Sequence, residues 1–128
     1  MVFDHEKLDV YKLSLDFAEW AYIIVKDLKG ADRFAKEQLI RASQSITLNI
    51  AEGNGRRPSP DRARFFQIAY GSALECAAIL DVLNRYKLLQ NEQCQEGKVM
   101  LKRVVSMLIA LINRMSYVNE DENEYLIT

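Results

Sequence analysis

Apolar residues recur along this 128-residue chain at intervals of three and four, in four stretches separated by short polar punctuation. That is the period of amphipathic helices packed by one side. The first stretch spans about Glu6 to Leu28 and carries two apolar stripes. Leu8, Tyr11, Leu15, Ala18, Tyr22 and Val25 read as a bundle seam. Leu13, Phe17, Trp20, Ile24 and Leu28 lie roughly 150° away, at about 100° per residue. One seam suffices for a helix in a bundle, so Leu13, Phe17, Trp20 and Ile24 are expected to meet another subunit. The alternative is a helix covered on both sides by its own domain.

The second helix is expected from Asp32, placed as its N-cap, to Gly53, placed just past its end. A basic loop, Asn54 to Ser59, leads to a third helix with a strong start signal: Ser59 as cap, Pro60 first, Asp61 in the first turn. It continues to about Lys87, and Gly71 in its middle, unfavourable by about 1 kcal/mol against Ala, points to a closely packed neighbour. Asn91 opens the fourth helix, whose apolar residues again suffice for two faces. The short connections imply antiparallel neighbours. The fold class is therefore all-α, an up-down-up-down four-helix bundle over residues 1–116, with an acidic, solvated tail over 117–128.

One segment exceeds what helix building requires. In QLIRASQSITLNIAEGNGRR, residues 38–57, Leu39, Ala42, Ile46 and Ile50 form an apolar stripe. Arg41, Ser45, Asn49 and Glu52 form a polar strip at a different angle. If helices two and three fold back about Arg56, residues whose numbers sum to about 113 face each other. Arg41 then lies beside Ser72 and within a turn of Glu75, and Glu52 beside Asp61 and Arg62. A charge-assisted Arg41–Glu75 bond inside the bundle would fix the register of two helices rich in interchangeable small residues. Arg41 and Glu52 lining an exposed groove is the functional alternative.

Charge and composition narrow the function. The chain has 17 Lys+Arg against 18 Asp+Glu, net −1. Four of those acids, Glu120, Asp121, Glu122 and Glu124, sit in the base-free tail, which leaves the body 17 against 14, or +3. Arg56, Arg57, Arg62 and Arg64 concentrate that charge at the loop and first turn of helix three, where a planar fork and backbone donors suit phosphate. A solvated loop is the plain alternative. His5 is the only histidine, near the N-terminus, and no glycine-rich phosphate loop is present, so no enzyme activity is expected. Cys76 and Cys94 lack a second pair, and Glu92 and Glu96 lack a histidine, so neither a metal nor a cofactor is expected. No apolar run is read as reaching the roughly 18 residues of a membrane span, nor the N-terminus as a signal peptide. The expected setting is cytoplasmic, with no membrane.

The same segment, followed by FFQIAYGSALECAAIL at 65–80, resembles the four-helix-bundle proteins encoded in intervening sequences of bacterial 23S rRNA genes, the S23 or intervening-sequence family. That group also includes the accessory variability determinants of diversity-generating retroelements. The likeness is carried by Gln38, Arg41, Ser45-Ile46, Asn49-Ile50-Ala51-Glu52-Gly53, Gly71-Ser72 and Glu75, and covers the first helix through the fourth. It implies a homopentameric, barrel-like assembly. The retroelement members look like basic nucleic-acid binders that work with a reverse transcriptase, whereas the intervening-sequence members have no settled activity. The near-zero net charge and acidic tail depart from the retroelement type. The leading expectation is a non-enzymatic oligomeric accessory protein that binds RNA or DNA through its arginines. The alternative is a scaffold that holds a protein partner.

Overall fold

The computed structural model describes the backbone of residues 1–56 and 59–127, and side chains as far as Met115. A short 3-10 turn, Asp4–Lys7, leads into α1 (Asp9–Val25), and another, Gly30–Asp32, into α2 (Arg33–Gly55). Then come α3 (Asp61–Arg85) and α4 (Asn91–Ile127). Among the described residues each helix packs against two neighbours, α1 against α2 and α4, and α3 against α2 and α4. The result is an antiparallel ring of four. The acidic segment continues α4, and its side chains lie outside the described residues.

The core is one cluster, with Phe17, Leu39, Ile46, Ile50, Phe66, Leu80, Leu83, Val104 and Leu108 among its buried side chains. The apolar stripe of α2, Leu39, Ala42, Ile46 and Ile50, is wholly buried. The face of α1 is not the expected one. Its buried residues are Val10, Leu13, Ser14, Phe17, Ala21 and Val25, whereas Leu15 and Tyr22 of the expected seam are 44% and 54% exposed. Ser14 is accommodated on this buried face by its hydrogen bonds. Its hydroxyl donates to the Tyr11 carbonyl at 2.7 Å and accepts from Thr47 Oγ1 at 3.0 Å, so a polar side chain is satisfied at 0% exposure.

The subunit-interface expectation for Leu13, Phe17, Trp20 and Ile24 is corrected accordingly. Leu13 and Phe17 are buried by the chain's own helices, and Ile24 packs partly buried against the core. Trp20 lies against α4: a Cβ added at Gly97 would fall 2.6 Å from its Cζ3 and 2.8 Å from Leu80 Cδ1. The glycine makes room for the indole. The large apolar side chains that α1 leaves exposed are Leu15, Tyr22 and Ile23.

Helix ends follow local chemistry, with two departures. Ser59 Oγ accepts the Asp61 N–H at 3.2 Å, the expected cap of α3. Asp32 precedes α2 but makes no side-chain capping bond, since a 3-10 turn already occupies that position. Gly53 does not end α2. It is buried two residues before the end, and a Cβ there would meet Phe66 Cε1 at 2.8 Å. Left-handed backbone occurs instead at Gly30 (φ 64°) and Lys87 (φ 62°). Beyond Lys87 the Leu88 N–H reaches back to the Leu83 carbonyl at 2.9 Å, closing α3 in a Schellman turn. Gly71, expected to admit a close neighbour, has open space where a Cβ would stand.

Helix α3 also corrects the reading of apolar runs. Over Asp61–Arg85 it has an 18-residue window of mean hydropathy 1.3, long and apolar enough by composition to cross a membrane, with 44% of that window buried in the bundle. Its Phe, Ile, Leu and Val residues, with alanines between them, raise that value although polar residues interrupt every run.

Candidate nucleic-acid interface

The polar strip of α2 faces α3 as a ladder. Arg41 Nη2 donates to Glu75 Oε1 at 3.2 Å. One turn on, the Ser45 and Ser72 hydroxyls share a hydrogen bond at 2.8 Å. Asn49 Nδ2 then donates to the Ser45 carbonyl at 2.8 Å and to its Oγ at 3.2 Å. Facing numbers sum to 116 or 117 rather than about 113, because α2 runs on to Gly55 and moves the fold-back past Arg56. Glu52 consequently pairs within its own helix, accepting from Arg56 Nη2 at 3.3 Å, and not with the start of α3.

Register is set near the rim of the bundle rather than inside it. The Arg41 and Glu75 side chains are 67% and 42% exposed, so water screens the pair and each partner keeps its hydration when the other is removed. The large penalty expected of a buried pair therefore does not apply. Arg41→Ala should cost less than about 1 kcal/mol in chemical denaturation, and a double-mutant cycle with Glu75→Ala should give a coupling of about 0.2–1 kcal/mol. A loss of about 3 kcal/mol would mean that the pair is enclosed, for instance by another subunit.

The four arginines divide. Arg62 turns toward the end of the bundle, its guanidinium 5.3 Å from the Phe66 centroid and its Nη2 3.5 Å from Asn54 Oδ1. Asn54, itself buried, donates through Nδ2 to Asp4 Oδ2 at 2.9 Å, tying the N-terminal turn to the α2–α3 connection. Arg56 and Arg64 remain at the surface, both over the Phe65 ring, at 5.2 and 5.3 Å from its centroid. The quadrupole of the ring draws the two cations together without neutralising either. Arg57 lies outside the described residues. Phe65, Asn54 and Asp4 were missed in the sequence, although an aromatic between arginines was a usable signal.

Other titratable groups speak for structure. Burial, with a smaller contribution from the neighbouring Glu75 charge, pushes the Cys76 thiol up to about 12, so it stays protonated and unreactive at neutral pH. The Lys98 ammonium is raised chiefly by its hydrogen bond to Asp81 across α3 and α4. No group of three or more metal-ligating side chains occurs among the described residues.

The sequence profile of the 23S rRNA-intervening sequence proteins matches residues 6–110. The chain belongs to that family. The matched span begins in the N-terminal turn that Asn54 ties down and ends within α4, and so takes in α1, α2, α3 and the first part of α4. A crystal structure of an S23 ribosomal protein family member of unknown function from Bacteroides thetaiotaomicron superposes with a TM-score of 0.72 at 24% identity. The superposition covers 80% of this chain and 97% of that one. It establishes the shared bundle fold. No curated protein matches the chain.

Proposed function

We propose that this family member is a non-enzymatic, cytoplasmic, oligomeric accessory protein that binds RNA or DNA through the arginines beside the α2–α3 connection. The observation that carries the reading is the Arg56–Phe65–Arg64 cluster, two surface guanidiniums gathered on one ring. Guanidinium forks suit phosphate oxygens, and both forks here lie within 5.3 Å of one ring centroid, Arg56 also being oriented by its bond to Glu52. A homopentamer, as the family resemblance implies, would repeat the cluster around a ring and multiply its local field. The exposed α1 residues Leu15, Tyr22 and Ile23 replace Leu13, Phe17, Trp20 and Ile24 as the face offered to a neighbouring subunit. Light scattering at micromolar concentration tests the assembly, and a monomer there overturns it.

Binding is expected to be largely independent of sequence and to weaken steeply with salt. Fluorescence anisotropy with labelled RNA and DNA should give a log–log salt slope that falls by about one unit per lost contact in Arg56→Ala and Arg64→Ala. Deleting residues 117–128 removes four acids per chain and should strengthen binding. No binding at low salt, with or without the tail, would retire this reading.

A protein-scaffold function is the second reading, favoured by a groove of about 400 Å³ between α3 and α4. Ala73, Leu74, Ala77, Leu101 and Val105 line it, with Lys98 and Lys102 also contributing. Its chemistry suits an apolar helix with acidic flanks.

A further inference from the structure

A second concave site stands at the end of the bundle where the N-terminal turn meets α2, α3 and α4. It has a volume of about 350 Å³, and among the described residues Lys7, Arg62 and Arg114 line it together with Asp4. Leu8, Leu111 and Met115 supply an apolar wall. Among the described residues, three cations and one carboxylate line the cavity. The carboxylate is engaged, since Asp4 Oδ2 accepts from the buried Asn54 amide at 2.9 Å. Arg62 is held by Asn54 and by the Phe66 face, so one cation is positioned before any ligand arrives. Lys7 and Arg114 form no ion pair with a described residue, and both are exposed.

We propose that this cavity binds a terminal phosphate, the monoester at a strand end or on a free nucleotide, with Lys7, Arg62 and Arg114 around the phosphate and the nucleoside against Leu8, Leu111 and Met115. Charge favours the terminal group over an internal one. A monoester carries about −1.5 to −2 at neutral pH, enough to engage both exposed cations, Lys7 and Arg114, whereas a backbone diester carries a single charge. Shape favours it as well. A cavity walled by four elements has the size of a small-molecule site, about 300 Å³ or more, and takes the end of a strand more readily than a continuous duplex. The strand-end form rests on the nucleic-acid reading above, and the free-nucleotide form does not.

The test compares one labelled oligonucleotide bearing a 5′-phosphate, a 3′-phosphate or hydroxyls at both ends, and beside them a nucleoside monophosphate and the parent nucleoside by calorimetry. The wild-type chain should bind at least one phosphorylated end roughly tenfold more tightly than the unphosphorylated strand, the size expected of two charge-assisted contacts. Lys7→Ala/Arg114→Ala should abolish that preference while its circular dichroism and melting stay native. Arg56→Ala, outside the cavity, should weaken all three strands alike. If no strand binds but the monophosphate does, and the double variant loses it, the cavity is upheld and the nucleic-acid reading falls. Equal affinity for all three strands, or a monophosphate bound no better than its nucleoside and no strand bound, overturns the proposal.

Discussion

Replacing Phe66 with Ala is expected to cost about 3–5 kcal/mol, read as a lowered urea midpoint. Phe66 is fully buried, and its ring edge fills the space left by Gly53, where a Cβ would sit 2.8 Å from Cε1. Its face also carries the Arg62 guanidinium. Truncation opens a cavity at the α2–α3 contact and removes the support beneath a cation. The contact has a sharper signature in combination. Gly53→Ala alone drives a methyl into the ring and should destabilise, although Ala is the better helix former by about 1 kcal/mol. In the Phe66→Ala background the same methyl enters the vacated space, so its cost should vanish or reverse sign. Additive effects would show that Gly53 is not there for Phe66. The Ala-Glu-Gly end of the α2 motif would then need another explanation.

The second large effect separates two glycines that look alike in sequence. Both Gly71 and Gly97 lie within helices, and both should give about 1 kcal/mol on replacement by Ala if propensity alone ruled. Gly97→Ala should instead lose about 1–3 kcal/mol, because the methyl collides with the six-membered ring of Trp20 and with Leu80 Cδ1. Changing Trp20 to Leu should relieve most of that loss. Gly71→Ala meets nothing within 4 Å and should gain the full propensity difference in an isolated chain. Denaturation of both variants across a range of protein concentrations checks the contrast. A Gly71→Ala chain that melts lower, and the more so as concentration rises, would place Gly71 in a contact between subunits. Gly97→Ala without loss would mean that the indole moves aside freely.

The difference between these glycines also marks how far the linear pattern reaches. Helical periodicity located all four helices, and Ser59-Pro60-Asp61 announced the start of α3 through capping chemistry that is local. The stripe Leu39, Ala42, Ile46 and Ile50 identified the inner face of α2, because no rival apolar stripe competes on that helix. The pairing of Arg41 with Glu75 followed from the hairpin together with opposite charge, although the register stood about three residues off. Its distance from solvent did not, since a register sum says which residues face each other and not how deep they lie.

On α1 two stripes of similar strength left the inner face undetermined. The choice fell to groups remote in sequence, Thr47 satisfying Ser14 and Gly97 admitting Trp20. The arginine cluster was legible as charge, but its division was not. Arg62 turns inward because Asn54 and Phe66 receive it, while Arg56 and Arg64 stay outside on Phe65. The sequence by itself determined the four helices, the start of α3, the inner face of α2 and the family, because each depends on spacing or composition that a chain carries locally. The tertiary structure alone decided the inner face of α1, the shallow setting of the Arg41–Glu75 pair and the cationic cavity at the bundle end. Each of those depends on atoms from more than one helix meeting at one place, and spacing along one helix fixes an angle about its own axis without specifying what stands opposite.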